Sequence, residues 1–221
     1  MSHTLAALSA AAPLAAGWTV HGLWQHHLID RAERDALTGL PRRAAFEKSA
    51  ARMLRRTRRD VVVTLIIDLD GFKQVNDIHG HAAGDTAIRE TGRRLAQWAE
   101  SLGTVARLGG DEFAAVIRCP DPDTVRGELT HLHQWLCSTV TYDGLPLPLG
   151  ASIGAYLHAP GPGSTVDLPA ALRVADEVMY GVKQTGGGWS ITHTLTPAYR
   201  TVNGRRDGRP GTDLDAEGGA R

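Results

Sequence analysis

Apolar residues recur along this chain in two periods. Val61 to Ile67 is an unbroken, mostly β-branched apolar run, the pattern of a strand buried on both faces. Thr104 to Leu108 and Glu112 to Arg118 flank a glycine turn and read as the strands of a hairpin. A second hairpin is predicted from Thr139 to Tyr142 and Leu145 to Ala155, around Asp143-Gly144, a strong turn signal. Helical spacing takes over elsewhere. Phe46 to Arg59 is an alanine- and arginine-rich helix, and Gly84 to Glu100 sets Ile88, Leu95 and Trp98 on one side. Asp123 to Cys137 repeats Val125, Leu129, Leu132 and Leu136 at helical intervals, and Leu168 to Gln184 forms the last helix. Pro160 to Ser164 is a loop. After Pro197 the mixture of Gly, Arg and Asp holds almost no apolar residue, as disordered tails do. The elements add up to a mixed sheet-and-helix domain.

Composition narrows this picture. A chain of 221 residues suits one well-packed domain with short extensions. With 24 basic and 24 acidic residues the net charge is zero, so no global charge points to nucleic acid. Cys119 and Cys137 are isolated thiols without zinc or redox spacing, which points to a reducing compartment. The ten histidines form no helix-spaced pair beside an acid and read as surface or packing residues. Thr4 to Trp24 lacks Asp, Glu, Lys and Arg, and Arg31 and Arg34 follow it. Residues 4–24 could cross a bilayer with a positive cytoplasmic flank, but Pro13, His21 and the alanine content equally suit a pairing helix. Arg52, Arg55, Arg56, Arg58 and Arg59 are the strongest basic cluster. A solvated helix face is its ordinary meaning, and contact with anionic lipid the sharper one.

Two segments carry candidate chemistry. The apolar run from Val61 ends in Asp68-Leu69-Asp70-Gly71-Phe72-Lys73. A carboxylate at the end of a buried strand is costly unless a cation or donors compensate it. The second segment is Arg107-Leu-Gly-Gly-Asp-Glu-Phe. Glycines in a strand mark a turn or the close approach of another group, so Gly109 and Gly110 leave room for a bulky ligand beside Asp111 and Glu112. Mg²⁺ typically takes one or two carboxylates plus substrate phosphates, and Asp68 with Asp111 would form such a pair. Lys73 then supplies charge near the phosphates. Asn76, His81 and Asp85 follow, and an Asp accepting two N–H bonds beside an Asn could read a guanine edge. Asn76 and Asp85 are also favoured helix N-cap residues.

These segments resemble the GGDEF family of diguanylate cyclases, from roughly Asp35 to Trp189. Asp35-Ala-Leu-Thr-Gly-Leu-Pro, Asp68-Leu-Asp-Gly-Phe-Lys-Gln-Val-Asn-Asp, Gly80-His81, Gly84-Asp85 and Gly109-Gly-Asp-Glu-Phe match in the family's order. Ser152-Ile153-Gly154, Ala175-Asp176 and Met179-Tyr180-Gly-Val-Lys183 match later. The resemblance implies an α+β fold, a central, mostly antiparallel sheet flanked by helices, like nucleotidyl cyclases and polymerase palm domains. The expected division is an N-terminal helix over 1–34, a cyclase domain over 35–192 and a tail over 193–221. It implies a cytoplasmic catalytic domain, possible membrane contact resting on residues 4–24 alone, acting as a homodimer that joins two GTP into cyclic di-GMP. Mg²⁺, or Mn²⁺, would lie on Asp68, the Leu69 carbonyl and Asp111, the last also a candidate catalytic group. Lys73 and Lys183 would serve the phosphates, and Phe72, Asn76, His81, Asp85, Gly109 and Gly110 the substrate. Glu112 would be an auxiliary ligand or an orienting residue.

The departures are specific. Pro41-Arg42-Arg43 stands where the family commonly has Pro-Asn-Arg, and Gly186-Gly187-Gly188 where it often has Gly-Arg-Asn. The family's product-inhibition motif, Arg-x-x-Asp, falls on Glu100 and Gly103. A catalytically weak receptor for GTP or cyclic di-GMP on the same fold is the alternative that the missing arginine favours.

Overall fold

The computed structural model describes residues 33–56, 60–119, 121–158 and 167–195, and the backbone alone of 201–202 and 205–206. The expected N-terminal helix, the loop at Pro160 and most of the tail lie outside them. Among the described residues no helix is long and apolar enough to cross a membrane.

A five-stranded sheet forms the centre, in the order β2 (Gly103–Gly109), β3 (Glu112–Cys119), β1 (Val61–Asp70), β6 (Gly150–His158), β7 (Gly188–Thr192). β1 runs antiparallel to both neighbours, β2 is antiparallel to β3, and β7 alone is parallel, to β6. The unbroken apolar run explains why β1 lies in the middle: nine of its ten residues are buried, as a strand covered on both faces requires. Its side chains alternate. Val61, Val63, Leu65, Ile67 and Leu69 join a cluster with Ile88 and Leu95 of α3 (His81–Ala99) and Leu129, Leu132 and Leu136 of α4 (Val125–Leu136). Val62 and Ile66 join Phe46 and Ala50 of α1 (Arg43–Arg56) with Ala171, Ala175 and Met179 of α5 (Leu168–Gln184). The sheet is therefore sandwiched between two helical layers, the α+β architecture expected.

Two boundaries depart from the sequence reading. The stretch Leu145 to Ala155 is not one strand. Leu145–Leu147 is β5 and pairs with β4 (Val140–Tyr142) in a separate two-stranded hairpin, turning at Asp143 and Gly144 with φ of 50° and 77°. Pro148, without an N–H to donate, falls at the break, and the chain then enters the main sheet as β6. The helix expected from Gly84 starts at His81, and a short helix, α2 (Phe72–His79), precedes it. α2 fully buries none of its residues, Phe72 and Val75 being only partly covered, and its eight residues are too few for a helical period to stand out.

Candidate active site

A close approach between α5 and the sheet sets the site. A Cβ on Gly154 of β6 would lie 2.1 Å from Ala175 O and from Met179 N, so the helix backbone rests directly on the strand. Gly154 faces Ile66 across the ladder, and Ser152 faces Asp68. The crossover from β6 to the parallel β7 sends α5 back in the direction of β1. Lys183 is one helical turn beyond Met179, roughly 6 Å along the axis, and Asp68 is two strand positions beyond Ile66, roughly 6.6 Å. The two advances match, and Lys183 Nζ donates to Asp68 Oδ1.

Asp68 is nevertheless poorly compensated. It is 6% exposed, and burial pushes its carboxyl up to about 6, against the pull of Lys183 and with the negative charges of Asp111 and Glu112 raising it further. Glu112 stands directly opposite Asp68 across β1 and β3, a like-charge cross-strand pair of the destabilising kind. Asp111 follows at the turn, its carbonyl accepting from Leu69 N–H at 3.4 Å. Buried Asp68 thus stands within electrostatic reach of the half-buried Asp111 and Glu112, with Lys183 as its own counter-charge.

The glycine turn beside this corner is open. Gly110 has φ 54°, and nothing lies within 4 Å of where a Cβ would be on Gly109 or Gly110. Its backbone is held from behind. Arg107 Nε and Nη2 donate to Gly110 O at 3.0 and 2.8 Å, while Nη1 donates to Asp35 Oδ1 and Oδ2 at 3.0 and 3.1 Å. Asp35 also accepts from Thr38 N and Oγ1 at 2.9 and 2.8 Å. Burial raises its proton affinity, but the Thr38 and Arg107 bonds outweigh that and hold the carboxyl below its usual range. Sequence reasoning missed this strut. An arginine two residues before the first glycine, and Asp35-x-x-Thr38 as a self-bonding turn, were its signals.

The expected base-reading residues sit on α2 and α3. Asn76 packs over Gly84, where an added Cβ would meet Asn76 Oδ1 at 2.0 Å and Phe72 Cζ at 3.2 Å. Neither Asn76 nor Asp85 is an N-cap, because Gly71 and Gly80 hold those positions. Asp85 is exposed, with Arg89 Nη2 3.7 Å from its carboxylate. Lys73, His81 and Asp85 stand exposed, and none is bonded to the Asp68 corner among the described residues. The structure brings Asp68, Asp111, Glu112 and Lys183 to one place and Phe72, Asn76 and Gly84 to another.

Asp70 and Ser152 are further residues whose part the sequence did not disclose. Ser152 Oγ donates to Asp70 Oδ1 at 2.7 Å, and Asp70 Oδ2 would lie 2.7 Å from a Cβ on Gly187, whose φ is 93°. The carboxylate fills the space through which a side chain at 187 would leave the backbone.

The residues present suit a divalent cation. Hard oxygen donors and a buried, under-compensated carboxylate favour Mg²⁺ or Mn²⁺. Among the described residues no three His, Cys, Asp or Glu side chains form a ready-made cage.

Carboxylates at adjoining strand ends, an open glycine turn and a helix-borne lysine lie together on a helix-flanked sheet of the palm-like cyclase fold. Residues 32–188 match the family described as Diguanylate cyclase, GGDEF domain. The chain belongs to that family. It is 43% identical over 167 residues to a 19.3 kDa protein of Streptomyces ambofaciens, covering 76% of this chain and 87% of that one. It is 35% identical over 177 residues to the diguanylate cyclase TpbB of Pseudomonas aeruginosa, covering 75% of this chain and 40% of TpbB. A crystal structure of a sensory box/GGDEF family protein from Caulobacter crescentus superposes with a TM-score of 0.60 at 37% identity, covering 70% of this chain and 99% of that one.

Proposed function

We propose that the chain condenses two GTP molecules into cyclic di-GMP, releasing two pyrophosphates, as a homodimer in which each subunit holds one GTP. The observation that carries this reading is a buried Asp68 coupled to Asp111 and Glu112 beside an open glycine turn. Asp68, Asp111 and the Leu69 carbonyl would hold Mg²⁺ or Mn²⁺. Such an ion supplies positive charge against the triphosphate and favours the 3′-oxygen as nucleophile at the α-phosphate. Lys73 and Lys183 would bind phosphate oxygens, where positioned cations stabilise developing charge. Asn76 and Asp85 would choose guanine, with His81 and Phe72 lining that end. Gly109 and Gly110 leave the turn open to the nucleotide.

Control by product would be confined to the GTP half-site. Glu100 is exposed at the end of α3 and would repel a product phosphate. Gly103 is packed against β3 so closely that a Cβ would fall 2.0 Å from Val116 O, so an aspartate cannot occupy that position in this register. The receptor reading keeps one support, the absence of a side chain at 187.

One experiment separates these readings. The purified chain is incubated with Mg²⁺ and either GTP or ATP, with and without added cyclic di-GMP, and the nucleotides are separated. Cyclic di-GMP from GTP alone, with purely competitive inhibition by product, is expected. Binding without turnover would leave the receptor, equal use of ATP would overturn the roles of Asn76 and Asp85, and strong non-competitive inhibition would reveal another product site.

A further inference from the structure

We infer that Lys183 is a built-in counter-cation that occupies the divalent ion's place on Asp68 and passes to the nucleotide phosphates when the ion binds. This rests on the reading of Asp68 as a cation ligand and adds to it a coupling between ion and nucleotide. Lys183 is bonded to the very oxygen-bearing group that a cation would take. The pair is lopsided: the lysine side chain is 38% exposed, the aspartate side chain 9%. Asp68 is held by the middle of the sheet and cannot follow its partner, whereas the ammonium ends a flexible stem at the last turn of α5 and can swing outward. Two cations sharing one carboxylate repel each other at this range, so an arriving divalent ion favours the departure of the ammonium.

The residues that follow the lysine offer no substitute. Gln184, Thr185, Gly186, Gly187 and Gly188 follow it without a cation, and Asp70 closes the exit from position 187. A displaced Lys183 is therefore the cation this end of α5 can offer to phosphate. The lysine partly compensates Asp68 when the site is empty, and leaves it when ion and nucleotide arrive together. The consequence is counter-intuitive: removing a residue that helps turnover should tighten binding of the ion alone.

The test measures Mn²⁺ affinity without nucleotide at about pH 8, by the loss of the free-ion EPR signal, for the wild type, Lys183→Met, Lys183→Gln and Asp68→Asn. The two lysine variants should bind Mn²⁺ about tenfold more tightly, the equivalent of one ion pair with a buried partner. Their thermal midpoints should also rise further on adding Mn²⁺ than that of the wild type, because the empty variants leave Asp68 uncompensated. Asp68→Asn should bind weakly or not at all. Unchanged or weaker Mn²⁺ binding by both lysine variants, with Asp68→Asn still defective, overturns the exchange but leaves the ligand assignment standing. Undiminished binding by Asp68→Asn overturns the ligand assignment itself, and the exchange with it.

Discussion

Arg94 and Asp68 are both nearly removed from solvent, at 5% and 6% exposure, and the fold treats them in opposite ways. Arg94 Nη1 donates to the carbonyls of Trp135, Leu136 and Ser138 at 2.8, 3.1 and 2.8 Å, and its Nε to Glu90 Oε1 at 2.8 Å. It thereby caps the end of α4, where a helix gathers negative charge, and ties α4 to α3. Every group bonded to it is an acceptor, although it shares Glu90 Oε1 with Arg93. Asp68 has one half-exposed lysine and faces two further acids. A buried charge satisfied from all sides is structure, whereas one set against its own kind is held ready for a ligand. Burial alone does not tell them apart; the sign of the neighbours does.

The largest expected effect falls on the acidic corner. Asp111→Asn should lower cyclic di-GMP synthesis by at least about a hundredfold, the scale of losing one positioned electrostatic group in an active site. Its melting temperature without divalent ions should equal or exceed the wild type's, since one charge that repels Asp68 is gone. A folded variant that retains synthesis would sink the assigned mechanism. Arg94→Met should do the reverse, costing roughly 3 kcal/mol in stability because several buried acceptors lose their donor, while activity per folded molecule stays the same. Denaturant titration with active-site counting checks this, and a stability close to the wild type's would dissolve the contrast.

A smaller effect sharpens the comparison through pH. The Asp68 carboxyl is raised from 3.8 to about 6, so between those values the folded state binds more protons than the unfolded one. Stability contributed by this group is present at low pH and lost as pH rises through about 6. Asp35 and Glu90, lowered by their partners, contribute in the opposite sense, and their stabilisation is lost on acidification. Relative to the wild type without divalent ions, Asp68→Asn should gain stability as pH rises from about 4 to 6 and stay level above that. A flat difference across the window would mean that Asp68 is not strained by its surroundings.

Much of this was legible before any coordinates. The β-branched run from Val61 could only be a doubly covered strand, and an acid closing such a run is conspicuous because burying a charge is costly. The glycine pair before Asp111 declared a turn for the same local reason. The helices α3, α4 and α5 followed from the spacing of Ile88, Leu95, Leu129, Leu132 and their like. What stayed hidden were α2, which is short and only partly covered, and the break at Pro148, where two strands of different sheets abut in sequence.

The sequence by itself determined which residues could form strands and helices and which acids were misplaced in them, because periodicity, turn chemistry and the cost of a buried charge are properties of short segments. Only the tertiary structure decided which charges meet. The register of β1 on β3 sets Glu112 against Asp68, the bare backbone of Gly154 lets α5 lie close enough for Lys183 to reach across, and Arg107 finds Asp35 only after the chain has folded back on itself. Those contacts join residues far apart along the chain. Their geometry is fixed by how the layers pack, and no local pattern encodes it.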